Sequence, residues 1–362
     1  MRARALVFAY GWNAVAYQIL NPGIRHWFAA AGDAVVGYAV SAGTRVVAGA
    51  PVCPAGRLAA VADEFGADAR RAGQRVVYFG AGARFETRYA GRDAGRAVVR
   101  LGAQPWWDPK GWEGRVRAVA SLRGQLNRAR NKGVRVVEWA PAVAHEHPAL
   151  RRVLAAWLAG RGLPSLHFLV EPETLALLAD RRIFVAERPG RLVGSTAPVV
   201  AFLVATPIPA RGGWLLEQWP RAPEAPNGTV ELLVDAAMRG LAAAGARAVT
   251  MGLAPLSARA ADGVDTPPPP WLALVLRWAR AHGRRFYDFG GLDAFKAKFR
   301  PDGWESISAI ADGPRFTPQA LWAIAGAFSR ESPVMLVARA LGGAARAELR
   351  RVVASDVRQG RA

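Results

Sequence analysis

The sequence predicts a mixed α/β chain in two units, each a mixed sheet with helices on both faces. Three features carry that expectation. Short apolar runs rich in Val, Ile and aromatic residues alternate with stretches in which apolar residues recur at helical spacing. At 362 residues the chain is long enough to bury two cores of ordinary size. Pro141 to Pro148 interrupts the pattern and reads as a junction, giving units 1–140 and 141–315, followed by a basic helical tail at 316–362.

The elements follow in order. Residues 5 to 52 alternate apolar runs with turn signals at Asn21-Pro22-Gly23, Gly32-Asp33, Ser41-Ala42-Gly43 and Gly49-Ala50-Pro51, which predicts strands. The first run, ALVFAYGWNAVAY after Met1-Arg2-Ala3-Arg4, imitates a secretion signal. Gly11, Asn13 and two Tyr interrupt it, so a strand and turn are expected there. Leu58, Val61, Ala62, Phe65 and Ala69 recur at helical spacing before Gly73, which predicts a helix from Gly56 to Arg71. Strands are expected at 75–80, 84–90, 96–103 and 134–139. Between the last two, Trp112 to Arg130 is the clearest amphipathic helix, with Trp112, Val116, Val119, Leu122, Leu126 and Ala129 along one side.

The second unit reads as a helix at 149–159, a strand at 166–170 and a helix begun by Pro172. A hairpin about Pro189-Gly190 joins 183–187 to 191–206, and a strand follows at 214–218. Next come a helix from Thr229 to Ala244 closed by Gly245, a strand at 248–254, a Pro-rich loop at 258–270, a helix at 271–282 and a strand at 286–289. In the tail, Thr317-Pro318 and Ser332-Pro333 mark helix starts ahead of Arg339, Arg346, Arg350, Arg351 and Arg358.

Lys plus Arg is 48 against 28 Asp plus Glu, a net charge of +20 that favours phosphate-rich partners such as nucleic acid or an anionic membrane. Cys53 is the sole cysteine, which excludes an intrachain disulfide and a multi-cysteine zinc site and fits a reducing, cytoplasmic compartment. Of the five His only His145 and His147 are close, and no metal centre is expected. No apolar run reaches 18 residues, so no spanning segment is expected.

Chemistry concentrates in three places. Tyr287-Asp288-Phe289-Gly290-Gly291 ends a predicted strand, and Lys296, Lys298 and Arg300 crowd the short helix after it, a placement suited to a phosphate or carboxylate. Glu217 lies near a strand end, with Arg221 four residues on and Asn227-Gly228-Thr229 opening a helix. Helix 112–130 carries Arg115, Arg117, Arg123, Arg128 and Arg130 on its other face, with no acidic residue between Glu113 and Glu138 to balance them.

The order of strands and helices in the second unit matches the acetyltransferase-like (GNAT) architecture, and the first unit reads as a diverged copy. LLEQWPRAPEAPNGTVELL, VTMGLAPLS and FYDFGGLDAFKAKFRPDGWE, with GDAVVGY at 32–38 and SLRGQLNRARNKG at 121–133, resemble the catalytic domain of the aminoacyl-phosphatidylglycerol synthases, also called phosphatidylglycerol lysyltransferases. The resemblance covers most of residues 10–312 and implies a tandem GNAT fold, without the multispanning flippase that such proteins commonly carry. It further implies transfer of an amino acid, of lysyl or alanyl type, from aminoacyl-tRNA to the hydroxyl of phosphatidylglycerol, by a peripheral enzyme at the inner membrane face. Neither ATP, metal nor another cofactor is required by that scheme. Glu217 falls on the Asp of the family's D-L-M-R block. Pro220 occupies its Arg position and Arg221 comes one residue later, a departure that bears on specificity.

On this reading Glu217, Arg221 and Lys296 are the candidate catalytic residues, and Asn227, Glu231, Ser257, Tyr287 and Asp288 bind substrate. Arg123, Asn127, Arg128, Lys132, Lys298 and Arg300 are the candidate tRNA contacts. Three other readings stay open: the same transfer to a soluble alcohol or amine, a CoA-dependent N-acyltransferase, and a non-catalytic RNA- or membrane-binding protein. For CoA, the pyrophosphate loop pattern occurs at Arg92 to Ala97 and at Arg339 to Ala344, neither between a predicted strand and helix of one sheet.

Overall fold

The computed structural model describes residues 2–90, 95–160, 166–188, 198–260, 268–282 and 289–329, with the side chains of 278–282 excepted. Its first stretch holds α1 (Arg2–Tyr10), β1 (Arg25–Phe28), β2 (Val35–Ser41), β3 (Thr44–Ala48), α2 (Leu58–Arg71), β4 (Arg75–Gly82) and α3 (Ala83–Tyr89). Then come β5 (Ala97–Trp107), α4 (Trp112–Ala118), α5 (Ala120–Asn131), β6 (Arg135–Trp139), α6 (Pro141–Ala144), α7 (Pro148–Ala159), β7 (Arg182–Glu187) and β8 (Val199–Ile208). The rest comprises β9 (Gly213–Gln218), α8 (Thr229–Ala243), β10 (Ala248–Thr250), β11 (Ala254–Pro255), α9 (Pro270–His282), α10 (Phe289–Ala297), β12 (Gly303–Ala311) and α11 (Pro318–Ser329).

The twelve strands of the described residues join one mixed sheet in the order β1-β2-β3-β4-β12-β5-β10-β9-β8-β7-β6, with β11 on β5. Two neighbouring pairs are parallel, β3 with β4 and β9 with β10; the other pairs are antiparallel. The connectivity interlocks the two halves of the sheet. β12, the last strand in sequence, lies between β4 and β5, while β6 pairs with β7 at the far edge. The halves meet where Val249 and Thr250 of β10 pair with Trp107 and Trp106 of β5.

Helices cover both faces because each carries one apolar stripe that must be buried. On α2 the stripe Leu58, Val61, Ala62, Phe65 and Ala69 is buried as its spacing predicts, and Phe65 meets the rings of Trp27 and Tyr38 edge-on. Burying one such phenylalanine contributes about 2–3 kcal/mol, more than any surface ion pair on the same helix. α1, α9 and α11 pack the opposite face of this half, through Val7, Leu272, Ala323 and Ile324. In the other half Leu126 and Ala129 of α5 and Leu233 and Leu241 of α8 share one core, and Leu150, Val153 and Leu154 of α7 another.

Several elements differ from the sequence expectation, each for a local reason. The N-terminal run is helix α1 rather than a strand: Ala3 and Val7 lie one helical turn apart and are buried, and the helix ends where the Gly11 N–H donates to the Val7 carbonyl at 2.7 Å. Residues 84–90, read as a strand, lie largely in helix α3, because Phe85 and Tyr89 have i, i+4 spacing and stack at 4.9 Å. The single helix at 112–130 is two, broken at Val119, whose backbone is extended (φ −101°, ψ 97°) while its side chain stays in the core. The strand at 166–170 is a 3-10 turn, Phe168–Val170, and the helix expected after Pro172 shrinks to another, Thr174–Ala176. Phe289, placed at a strand end, starts α10. The 189–190 hairpin tip, residues 286–288 and the tail beyond Ser329 lie outside the described residues.

Candidate active site

β9 and β10 run side by side and parallel, with Leu215 opposite Thr250, and the residues of interest gather at their carboxyl ends. β10 stops at Thr250. The carbonyls of Gly252 and Leu253, released from the ladder, accept hydrogen bonds from Lys296 Nζ at 2.9 and 2.7 Å. Lys296 sits on α10 and is 2% exposed. Burial pushes its ammonium down to about 7, opposed by the negative charge of Asp293. The Gly252 backbone (φ +70°) lies against Leu215, which is two residues before Glu217 on β9.

Strand alternation sends Leu216 into the core shared with α8 and leaves Leu215 and Glu217 on the other face. There Glu217 Oε2 accepts from Thr206 Oγ1 at 2.5 Å and from Arg181 Nη2 at 3.4 Å. Arg181 is completely buried; it also donates to the Leu177 carbonyl at 2.6 Å and to Thr206 Oγ1 at 3.2 Å, with its guanidinium over the Tyr17 ring. Glu217 Oε1 is buried and has no hydrogen-bond partner among the described residues. An unmet carboxylate oxygen in a buried setting is costly and is available to take a proton or an ammonium group.

Past the end of β9 the chain turns into α8 around a cavity of about 430 Å³, lined by Arg128, Arg221, Asn227, Glu231 and Lys298 together with Trp157, Trp219 and Phe295. Lys298 Nζ bonds the Glu231 carboxylate at 2.6 Å and lies 3.9 Å from the Phe295 ring centroid, and Phe295 stacks on Trp219 at 5.9 Å. These contacts tie α10 to the end of β9. The turn requires glycine at 228, where φ is +92° and a Cβ would lie 2.2 Å from the Gln125 carbonyl. Gly228→Ala is expected to destabilise the protein by about 3 kcal/mol, read as a shift in the urea unfolding midpoint; a shift under a third of that would show that α5 and α8 separate easily.

The structure thus brings Arg128, Arg221, Asn227, Glu231 and Lys298 into one cavity, while Glu217 and Lys296 lie close to the β9–β10 ends. Arg221 does not contact Glu217. Ser257 is buried and accepts from the Arg259 N–H at 3.3 Å. Arg123, Asn127 and Lys132 are exposed on α5 and just past it, and Arg300 is exposed after α10. Tyr287 and Asp288 lie outside the described residues. Sequence reasoning missed Arg181 and Thr206: an arginine in Asp180-Arg181-Arg182 looks like a solvated turn, and nothing local announces that it is buried beneath β8 and β9.

Residues 4–310 match the family described as phosphatidylglycerol lysyltransferase, C-terminal. The chain belongs to this family. It is a family of lysylphosphatidylglycerol synthetase-like transferases, as the resemblance of the three sequence blocks implied. No sequence among the curated proteins matches the chain. Among solved structures, the C-terminal domain of a putative lysylphosphatidylglycerol synthetase from Agrobacterium fabrum superposes with a TM-score of 0.75 at 22% identity, covering 91% of this chain and 96% of that one. The L-PGS of Bacillus licheniformis gives 0.74 at 22% identity, covering 91% and 97%. FemX gives 0.52 at 9% identity, covering 81% and 94%. These are likenesses of fold, and they agree with the mixed α/β architecture expected from sequence. Among the described residues no helix of this phosphatidylglycerol lysyltransferase-type chain is long and apolar enough to cross a membrane.

Proposed function

We propose that the chain moves an aminoacyl group from aminoacyl-tRNA to the headgroup hydroxyl of phosphatidylglycerol, working at the inner surface of the cell membrane. The observation that carries this reading is that the β9–β10 ends hold two buried titratable groups: a carboxylate with one oxygen unmet among the described residues, Glu217, and a lysine of near-neutral pKa, Lys296. The family supports the transferase chemistry and the lipid acceptor; the donor is inferred from what such a site can do.

An aminoacyl ester on the tRNA 3′ end is already activated, so the enzyme has to position the acceptor, take its proton and hold the oxyanion. In the proposed reaction the acceptor hydroxyl oxygen attacks the ester carbonyl carbon while Glu217 Oε1 takes the hydroxyl proton. An ammonium has three N–H donors. Two of those on Lys296 are used by the Gly252 and Leu253 carbonyls, which leaves one for the tetrahedral oxyanion. Collapse breaks the bond to the terminal ribose, and the proton on Glu217 passes to the leaving ribose oxygen. Arg128, Arg221 and Lys298 line a polar cavity able to hold phosphates of the acceptor end, next to the exposed basic face of α5.

The test is to incubate the protein with labelled lysyl- and alanyl-tRNA and phosphatidylglycerol vesicles and follow the label. Label in lipid is expected; label in a soluble ester would move the acceptor to a soluble alcohol, and label that stays on tRNA would remove the transfer reading. The donor side has its own expectation. Replacing Arg123, Arg128 and Lys132 by Gln should weaken tRNA binding and lower the slope of log affinity against log salt by about 1 per lost phosphate contact. An unchanged slope would take α5 out of the tRNA interface.

A further inference from the structure

A second cavity, of about 560 Å³, lies in the other half of the sheet among α3, β5, β12 and the segment after α1. That is within the size range of small-molecule sites. Three guanidinium groups line it, those of Arg84, Arg88 and Arg211, and Glu305 is the sole carboxylate among its lining residues. Glu305 is already bonded to Arg211 Nη2, at 3.0 and 3.2 Å. No carboxylate among the described residues pairs with Arg84, whose guanidinium carbon lies 4.2 Å from the centroid of the Trp12 ring. Partial burial, and after it the charges of Arg88 and Arg211, hold the Arg84 pKa below its ordinary value.

Two buried donors in the same wall have no acceptor among the described residues. Trp106 is 9% exposed and its indole N–H is unpartnered; the Nε–H of Arg211, whose guanidinium carbon is 4.1 Å from the centroid of the Trp106 ring, is unpartnered as well. Buried donors left unmet call for an explanation, and an anion with several oxygens between Arg84 and Arg211 supplies one. Much of the remaining lining is apolar, with Val52, Leu58 and Phe85 among it, beside the polar side chains of Asn13, Thr87 and Gln104.

We propose that this cavity binds a phosphate ester with an apolar body, its phosphate held by Arg84, Arg211 and the Trp106 N–H. Arginine suits that role because its planar fork meets phosphate oxygens in pairs. Trp106 pairs with Thr250 across the junction of β5 and β10 and packs with Leu215, which shares a face of β9 with Glu217, so the cavity adjoins the candidate active site on that face. The inference stands on this cavity alone and holds or fails independently of the transfer reaction.

The experiment is calorimetric titration of the intact protein with inorganic phosphate, with glycerol 3-phosphate and with phosphatidylglycerol nanodiscs, repeated with R84Q, R211Q and R71Q. Binding of at least one phosphorylated probe is expected, with Kd raised about tenfold or more by R84Q and by R211Q and unchanged by R71Q, which removes an exposed arginine of α2 that lines neither cavity. Binding confined to nanodiscs assigns the phosphate to a lipid headgroup; equal or tighter binding of glycerol phosphate assigns a soluble ester. Should R211Q fail to fold for want of its Glu305 partner, R84Q still decides, since Arg84 has no such pair. The proposal is overturned if no probe binds, or if R84Q binds every probe as tightly as the unaltered protein.

Discussion

Glu217→Gln is expected to lower aminoacyl transfer about 10³-fold while aminoacyl-tRNA still binds, because removing a proton acceptor costs on the order of 10²–10⁴ in rate. The same substitution acts on the fold. Arg181 is wholly buried and Glu217 is its carboxylate partner, at 3.4 Å. Taking one charge from a buried pair costs about 3 kcal/mol when the other is left uncompensated, but Gln keeps an acceptor for the Thr206 hydroxyl. Arg181 also retains the Leu177 carbonyl and the nearby charge of Asp180. A small fall in thermal midpoint with a large fall in turnover is therefore expected for Gln, and a larger fall in midpoint for Ala. The decisive measurement is single-turnover transfer with tRNA affinity followed in parallel. If Gln loses stability but transfers at the unaltered rate, Glu217 serves only to neutralise Arg181.

What could be read from sequence follows how local each determinant is. The buried face of α8, including Leu232, Leu233, Ala237 and Leu241, lies within one periodic run that stops at Gly245, and both its existence and its ends were legible. The insertion of β12 between β4 and β5 was not. It depends on pairings such as Ile310 with Tyr78 and Val98, more than 200 residues away in the chain, and any apolar strand alternates alike whatever its neighbours. At the candidate site, Lys298 and Glu231 were recognised separately, yet their ion pair joins the turn after α10 to the first turn of α8 and no spacing rule could link them. Glu217 and Arg221 show the converse. They are four residues apart in sequence, but β9 ends between them, and one side chain joins Arg181 and Thr206 while the other lines the cavity at α8. Burial of charge is the quantity a sequence states least well: Arg181 and Lys296 look like surface cations, two among the 48 Lys and Arg of the chain, and they are buried because of what the distant chain lays over them.

Lys296→Met is expected to flatten a pH dependence of stability as well as to slow the reaction. An unfolded lysine keeps its proton up to its ordinary value of 10.5, whereas the folded one releases it near 7 because burial disfavours the charge. Between those values the unfolded chain binds more protons than the folded one, so stability rises with pH across the window; below about 7 both forms are charged and the cost of burying the ammonium is felt in full. The whole rise amounts to about 5 kcal/mol, against which the Met variant should show no corresponding change. Urea midpoints of both proteins at pH 7 and at pH 9.5 give the comparison, and the difference between them removes the titration of every other group. Transfer should move the opposite way: with the ammonium as oxyanion donor, the rate falls as pH rises past 7, and Met lowers it about 10²-fold with little pH dependence left from this group. Parallel stability curves for the two proteins would mean that Lys296 keeps its proton throughout, held by the Gly252 and Leu253 carbonyls. The lysine would then stay an ammonium across this range, and its donation to the oxyanion would lend the transfer rate no pH dependence of its own.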